Sequence, residues 1–128
     1  MSFVICDTNI FISIFQGNEN TINELNTIGS ENVLIPSISL MELYRGMRNK
    51  RELTQMRKKM NSYNVLHYNE EVSEIAINLI LDYKLSQNLQ IPDAIIAAMS
   101  LVYNIPLFTY NLKDFKFIPE INLYQHRL

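Results

Sequence analysis

The sequence has few residues of the kinds that build disulfide scaffolds or soft-metal sites. It contains one cysteine, Cys6, and two histidines, His67 and His126, which are far apart in the chain. A single cysteine excludes an internal disulfide, and the lack of a Cys/His cluster leaves no ligand set of the kind that Zn²⁺ prefers. Cys6 lies inside an apolar run, so we expect it to be a small buried hydrophobe.

Membrane-length apolar runs, repeats and a strong net charge are also missing. No stretch fits a membrane span or a signal peptide, and the chain has no internal repeat or low-complexity tract. With 128 residues, 48% of them hydrophobic, the sequence fits one compact domain over 1–128. Its formal net charge of −2 gives no overall attraction to nucleic acid or anionic lipid. We therefore expect a cytoplasmic protein with no membrane partner.

One segment departs from this balance because it is strongly basic. Between positions 45 and 59, seven cations accompany a single acid, Glu52. The cations are Arg45, Arg48, Lys50, Arg51, Arg57, Lys58 and Lys59. Such a segment can hold nucleic-acid phosphates, and Arg45, Arg48 and Arg51 are the candidate contacts. The alternative is an ordinary solvated helix face.

Apolar runs that alternate with helical periodicities indicate an α/β fold. The predicted strands lie at 3–7, 33–36, 65–68, 106–109 and 121–124, the predicted helices at 9–16, 19–28, 38–48, 51–61, 70–87 and 93–103, and a turn at 111–115. The segment 70–87 has the clearest amphipathic pattern, whereas 93–103 is apolar almost all round, as a buried helix is. This alternation predicts right-handed crossovers and a mostly parallel sheet covered on both faces.

Four acids stand where an apolar segment begins or ends, namely Asp7, Glu42, Asp93 and Asp114. Burying one carboxylate costs several kcal/mol unless it is paired or binds a metal, so acids fixed at the rim of a core favour a cation site. Oxygen ligands without Cys or His favour hard ions, Mg²⁺ or Mn²⁺. In parallel sheets, ligands bind beyond the carboxyl ends of the strands, where Asp7 and Asp114 are expected.

Each acid also has a purely structural explanation. Ser39 and Glu42 fit the S-x-x-E capping box, and Asp7 and Asp93 fit the start of a helix. Asp114 could stabilise a turn. Helix capping or turn formation can explain each acid taken alone. Neither explains why four acids are expected at one edge of the sheet.

Four strings occur in order along the chain. They are Ile5-Cys6-Asp7-Thr8-Asn9-Ile10, Ile38-Ser39-Leu40-Met41-Glu42-Leu43 with Gly46, Pro92-Asp93-Ala94-Ile95-Ile96-Ala97-Ala98, and Thr109-Tyr110-Asn111-Leu112-Lys113-Asp114-Phe115. In order, spacing and total length they resemble the motifs of PIN-domain nucleases, in particular VapC-type toxins, over essentially the whole chain. Many PIN domains carry an acid where this chain has Asn111, and others carry it in a later acid-Phe pair, as Asp114-Phe115 does.

The resemblance implies a three-layer α/β/α fold and an endoribonuclease that hydrolyses RNA with Mg²⁺ or Mn²⁺. It implies Asp7 and Asp93 as the principal metal ligands, Glu42 as a ligand or water-orienting base, and Asp114 as a ligand through water. Supporting donors are available from Thr8, Asn9, Thr109 and Asn111. Ordinary turn hydrogen bonding is the alternative for each of these four.

The resemblance also implies two protein partners, a cognate VapB-type antitoxin and a second copy of the chain in a homodimer. The apolar residues near the first helices could contribute to a partner surface or simply belong to the core. They are Ile10, Phe11, Ile14, Phe15 and Ile22.

Two other functions fit parts of the sequence. Asp7-Thr8-Asn9 after a first strand weakly resembles the aspartyl-nucleophile phosphatases of the haloacid dehalogenase type, which would make Asp7 a covalent nucleophile. In those enzymes an acid usually stands where Asn9 stands, which argues against that reading. The second alternative is a non-catalytic PIN-like module that binds RNA or protein.

Overall fold

A parallel sheet forms the centre of the molecule, described by a computed structural model for residues 2–126. Its strands are β1 (Val4–Cys6), β2 (Val33–Pro36), β3 (Asn64–Leu66) and β4 (Leu107–Phe108), in the spatial order β3-β2-β1-β4. All three strand pairs are parallel, as the alternation of strands and helices predicts. β1 is the first strand in sequence but lies inside the sheet. The residue that follows its carboxyl end, Asp7, therefore lies between the ends of β2 and β4.

Helices provide the crossovers between these strands. They are α1 (Thr8–Phe15), α2 (Glu19–Ile28), α3 (Ser37–Arg45), α4 (Lys50–Met60), α5 (Glu70–Gln87) and α6 (Ile91–Tyr103). Short 3₁₀ turns occupy Ser30–Asn32 and Leu112–Asp114. None of the helices within residues 2–126 is both long and apolar enough to cross a membrane.

Helices cover the sheet on both faces, because successive strand residues point to opposite sides. On one face, Ile5 and Leu107 pack against α5 and α6. On the other, Val4, Cys6 and Phe108 pack against the α1 to α4 side. The three-layer α/β/α arrangement is therefore confirmed, and Cys6 is buried within one of the two apolar layers.

The predicted last strand at 121–124 is reduced to a single bridge between Leu107 and Leu123. Two backbone hydrogen bonds of 2.8 Å fix it, from Leu107 N to the Asn122 oxygen and from Tyr124 N to the Leu107 oxygen. Glu120, directly before this segment, has a positive φ of 67°. The chain thus enters the sheet edge from a turn and pairs with a β4 of only two residues, which is too short for a longer ladder.

Candidate active site

Asp7 lies at the junction of β1 and α1 and is 5% exposed. Its Oδ1 atom accepts a hydrogen bond from the backbone N–H of Thr8 at 2.8 Å, so Asp7 is the N-cap of α1. Its Oδ2 atom accepts from the hydroxyl of Thr109 at 2.8 Å and from the amide of Asn9 at 3.1 Å. The capping explanation is correct for Asp7, but capping uses only one of its two oxygens.

Burial and neighbouring acids raise the pKa of Asp7 above its ordinary value of 3.8. Burial is the largest cause, because it disfavours the charged form. The hydrogen bonds from Thr109 and Thr8 act in the opposite direction, and repulsion from Glu42 and Asp114 adds to the rise. The protein therefore holds a buried carboxylate in one orientation, and no positive side chain within residues 2–126 contributes to its pKa.

Asp93 lies in the first turn of α6, directly after Pro92, where an acid suits the positive end of the helix dipole. Its pKa is nevertheless raised to about 7, first by burial and then by repulsion from Asp7, Asp114 and Glu42. Repulsion from three acids indicates that four carboxyl groups from distant parts of the sequence lie within electrostatic range of one another. A raised pKa of this kind favours uptake of a proton by Asp93 in the absence of a metal ion.

Glu42 and Asp114 complete the group of acids. Glu42 lies on α3 and is exposed, and its Oε1 atom is 2.9 Å from the hydroxyl oxygen of Thr8. Asp114 ends the 3₁₀ turn Leu112–Asp114 and is partly buried. Asn111 is exposed, and its backbone N–H donates to the Thr109 hydroxyl at 3.0 Å. Asp114, and not the residue at 111, supplies the fourth negative charge.

The four predicted supporting residues form one hydrogen-bond network around Asp7. Thr109 is 1% exposed and bonds to Asp7 across 102 positions of sequence. Asn9 binds Asp7 through its amide and accepts from the backbone N–H of Tyr110 at 3.3 Å. Such long-range bonds tie the end of β4 to the start of α1, which local turn bonding does not do.

Ser39 is a member of this network that sequence reasoning missed. Its hydroxyl oxygen lies 2.9 Å from that of Thr8, and the side chain is 0% exposed. The capping-box interpretation of Ser39 and Glu42 is wrong, because α3 already begins at Ser37 and its N-cap is Pro36. The S-x-x-E spacing was the available signal, since residues three apart share one face of a helix.

The donor chemistry of the acids suits a hard divalent cation. As they stand, however, no three Asp, Glu, His or Cys side chains within residues 2–126 are arranged to hold a metal ion. The acids interact electrostatically but are not gathered to coordination distances. The fit to Mg²⁺ or Mn²⁺ therefore rests on the oxygen donors and on the uncompensated repulsion that raises the pKa of Asp93.

The predicted phosphate contacts lie at the end of α3, in the loop that follows it and at the start of α4, and all three are exposed. Arg45 is the last residue of α3, and Arg51 lies in the first turn of α4. Arg48, in the loop between these helices, forms an ion pair with Glu52 at 2.7 Å. The same pair lowers the pKa of Glu52, chiefly through the side-chain hydrogen bond. One of the three candidate arginines is thus already engaged with an acid.

Apolar surface is present, but not where the sequence suggested. Among the residues proposed for a partner surface, Ile10, Phe11 and Ile14 are buried in the core, and Phe15 and Ile22 pack against it. The core interpretation of these residues is correct. Three of the exposed aliphatic side chains instead follow one line of α5, where Ile77 is 58%, Leu81 is 76% and Leu85 is 97% exposed.

The PIN domain family matches residues 4–120, and the chain belongs to this family. One relative is Ribonuclease VapC of Rickettsia bellii (strain RML369-C). It is 31% identical over an alignment 128 positions long, which covers 94% of this chain and 93% of the relative.

Solved structures show the same architecture. A toxin-antitoxin complex from Klebsiella pneumoniae contains a chain that is 29% identical, with a TM-score of 0.77 and coverage of 92% of this chain and 94% of that one. DNA-bound VapBC from Salmonella typhimurium gives a TM-score of 0.85 at 24% identity, covering 97% of this chain and 98% of the other. The Salmonella match, at its lower identity, supports the fold alone.

Proposed function

We propose that this chain is a Mg²⁺- or Mn²⁺-dependent endoribonuclease and the toxin of a toxin–antitoxin pair. The observation that carries the proposal is the repulsion among Asp7, Glu42, Asp93 and Asp114 beside the carboxyl ends of parallel strands. Membership of the PIN family supports it, as does the 31% identity to a relative named as a ribonuclease. We propose that residues 1–128 act as one domain, because both apolar layers share a single sheet.

Asp7 is the best-prepared ligand in this proposal. Its Oδ2 atom accepts two side-chain hydrogen bonds, whereas its Oδ1 atom accepts one bond from the Thr8 backbone. A carboxylate oxygen can accept two hydrogen bonds, so Oδ1 keeps a lone pair for a cation. The Asn9 and Thr109 donors fix the direction of that lone pair, as outer partners do in metal sites.

Asp93 and Glu42 join Asp7 as ligands in the proposed site, and Asp114 acts through a water molecule. A divalent ion held there would polarise the scissile phosphate and lower the pKa of a water molecule, whose hydroxide form would attack the phosphorus. Asp93 would hold the cation as a carboxylate. The positive charge would offset the repulsion from the other acids and so lower the pKa of Asp93. Arg45 and Arg51 hold neighbouring RNA phosphates and so orient the RNA strand for cleavage.

The proposal is tested by incubating the purified protein with structured RNAs in Mg²⁺, in Mn²⁺ and in EDTA. We expect cleavage with either metal and none in EDTA, and Asp93→Asn should be inactive in all three. Full activity in EDTA would overturn the metal mechanism. A phosphoryl group recovered on Asp7 by mass spectrometry would favour the phosphatase alternative instead.

We also propose that an amphipathic antitoxin segment binds beside the acids. Support comes from the 29% identical chain found in a toxin-antitoxin complex. A cleft of about 260 Å³ adjoins Thr8 and Glu42 and is lined by Ile12, Phe15 and Met56. Such a cleft can take the apolar face of a helix. Co-expression with the small reading frame adjacent to this gene should yield a complex that no longer cleaves RNA, and undiminished cleavage by that complex would contradict the proposal.

A further inference from the structure

Three oxygen atoms from three elements form a short chain beside the acids. The hydroxyl oxygen of Thr8, on α1, lies 2.9 Å from the hydroxyl oxygen of Ser39 and 2.9 Å from Oε1 of Glu42. Ser39 and Glu42 are one helical turn apart on α3, so both reach the same threonine. Ser39 is fully buried, whereas Glu42 is exposed.

Proton counting limits the directions that this chain of hydrogen bonds can take. The Thr8 hydroxyl is oriented to donate to either oxygen, but it has one hydrogen, so it donates to Ser39 or to Glu42 and not to both at once. When it donates to Glu42, its lone pairs are left to accept the hydrogen of Ser39. The buried serine hydroxyl thereby obtains the partner that a buried polar group requires.

We propose that Ser39 is a positioning residue that acts through the Thr8 hydroxyl to aim the Glu42 carboxylate at the cation site. Ser39 holds Thr8 in the rotamer in which its hydrogen points to Glu42. Without that donation, Glu42 has the rotamer freedom of an exposed glutamate on a helix surface. The consequence for metal binding rests on the proposed function, but the link between Ser39 and Thr8 does not.

The first test measures the Thr8 rotamer in the metal-free protein. Three-bond couplings to the Thr8 methyl carbon report whether its χ1 angle occupies one well or several. We expect a single rotamer in the unmodified protein and rotamer averaging in Ser39→Ala. Ser100→Ala is the matched control, because Ser100 is also a buried helix serine, 3% exposed, whose hydroxyl bonds elsewhere, to the Ile105 oxygen at 2.7 Å.

The second test measures Mn²⁺ affinity by calorimetry, without RNA. Thr8→Val, which keeps the shape but removes the donor, should weaken binding about tenfold. Ser39→Ala should weaken it in the same direction by a smaller factor, and Ser39→Thr, which restores a hydroxyl, should recover most of the loss. In a Glu42→Ala background, neither Thr8→Val nor Ser39→Ala should weaken Mn²⁺ binding further, because the carboxylate that they orient is absent.

Two results would overturn the proposal. One is an unaveraged Thr8 rotamer in Ser39→Ala, which would reduce Ser39 to a packing role. The other is a Mn²⁺ affinity of Ser39→Ala equal to that of Ser100→Ala. Loss of RNA cleavage has no part in either test, so a protein that binds Mn²⁺ but cuts no RNA would contradict the proposed function and leave this inference standing.

Discussion

The carboxyl group of Asp93 links the stability of the protein to pH. Its pKa rises from 3.8 to about 7, so between these values the folded state binds more protons than the unfolded chain. Stability therefore falls as pH increases through this window and does not recover above it. Thermal unfolding in EDTA should give a higher Tm at pH 5 than at pH 7.5, and a higher Tm at pH 7.5 would contradict the burial and repulsion that raise the pKa.

Asp93→Asn isolates this effect. Asparagine keeps the shape of the side chain but carries no charge, so the metal-free variant should be more stable than the unmodified protein at pH 7.5, by about 3–6 °C in Tm. The same variant should bind no Mn²⁺ and cut no RNA. Asp82→Asn, which changes an exposed acid of α5, is the control and should alter none of these quantities. A lower Tm for Asp93→Asn would mean that its charge stabilises the helix end.

At the scale of single residues, the sequence predicts the place of Asp7 better than that of Ser39. Asp7 directly follows a continuous apolar run, so its position at a strand end could be predicted from local pattern. Ser39 could not be assigned, because S-x-x-E fits both a cap and two residues on one helix face. The start of α3 at Ser37, directly after β2, decides between these readings.

At the scale of the structural elements, substitutions at the end of α3 and the start of α4 test the proposed RNA contacts. Arg45→Ala with Arg51→Ala should reduce the slope of log affinity against log salt by about 0.7 for each lost phosphate contact on single-stranded RNA. Metal binding should persist, because neither arginine contacts the acids within residues 2–126. Lys84→Ala on α5 serves as a control cation, and an unchanged salt slope in the double variant would mean that the segment is only a solvated face.

Arg48 should behave differently from its two neighbours. Its ion pair with Glu52 keeps the guanidinium occupied, so Arg48→Ala should change RNA affinity less than Arg45→Ala does. Glu52→Gln removes the competing charge and should increase RNA affinity, most clearly at low salt. Binding measured by fluorescence anisotropy over a range of salt concentrations decides this, and weaker binding by Glu52→Gln would show that the pair instead holds the arginine in a productive position.

The elements themselves follow the sequence closely where the pattern is long. The segment 70–87 forms α5 over those same residues, because its apolar positions repeat over five turns and Asn69 caps its start by accepting from Val72 N at 3.0 Å. The segment 121–124 failed as a strand because an apolar run of that length does not reveal how much of a neighbouring strand is available for pairing. The extent of pairing depends on the length of β4, which is determined by residues outside 121–124.

At the scale of the whole molecule, the exposed face of α5 carries a line of apolar side chains. Ile77, Leu81 and Leu85 stand four residues apart and therefore form one stripe along the helix. Beside Ile77 and Leu81, an apolar groove of about 360 Å³ extends between α5 and α6 and includes Ile91, which is 67% exposed. A continuous apolar surface of this kind commonly marks a protein interface.

We expect this stripe to form the interface between two copies of the chain, since a stripe on one helix can pair with itself about a two-fold axis. The double variant Leu81→Glu with Leu85→Glu should be monomeric, because pairing would bring four carboxylates together in an apolar interface. Its fold should be kept, because both leucines are exposed in the single chain, and circular dichroism checks this. Ser86→Glu, which changes an exposed residue on the side of α5 away from the stripe, is the matched control and should remain dimeric. Sedimentation equilibrium over a range of concentrations measures the mass of each protein. A monomeric mass for the unmodified chain at high concentration, or a dimeric mass for the double variant, would rule out this interface.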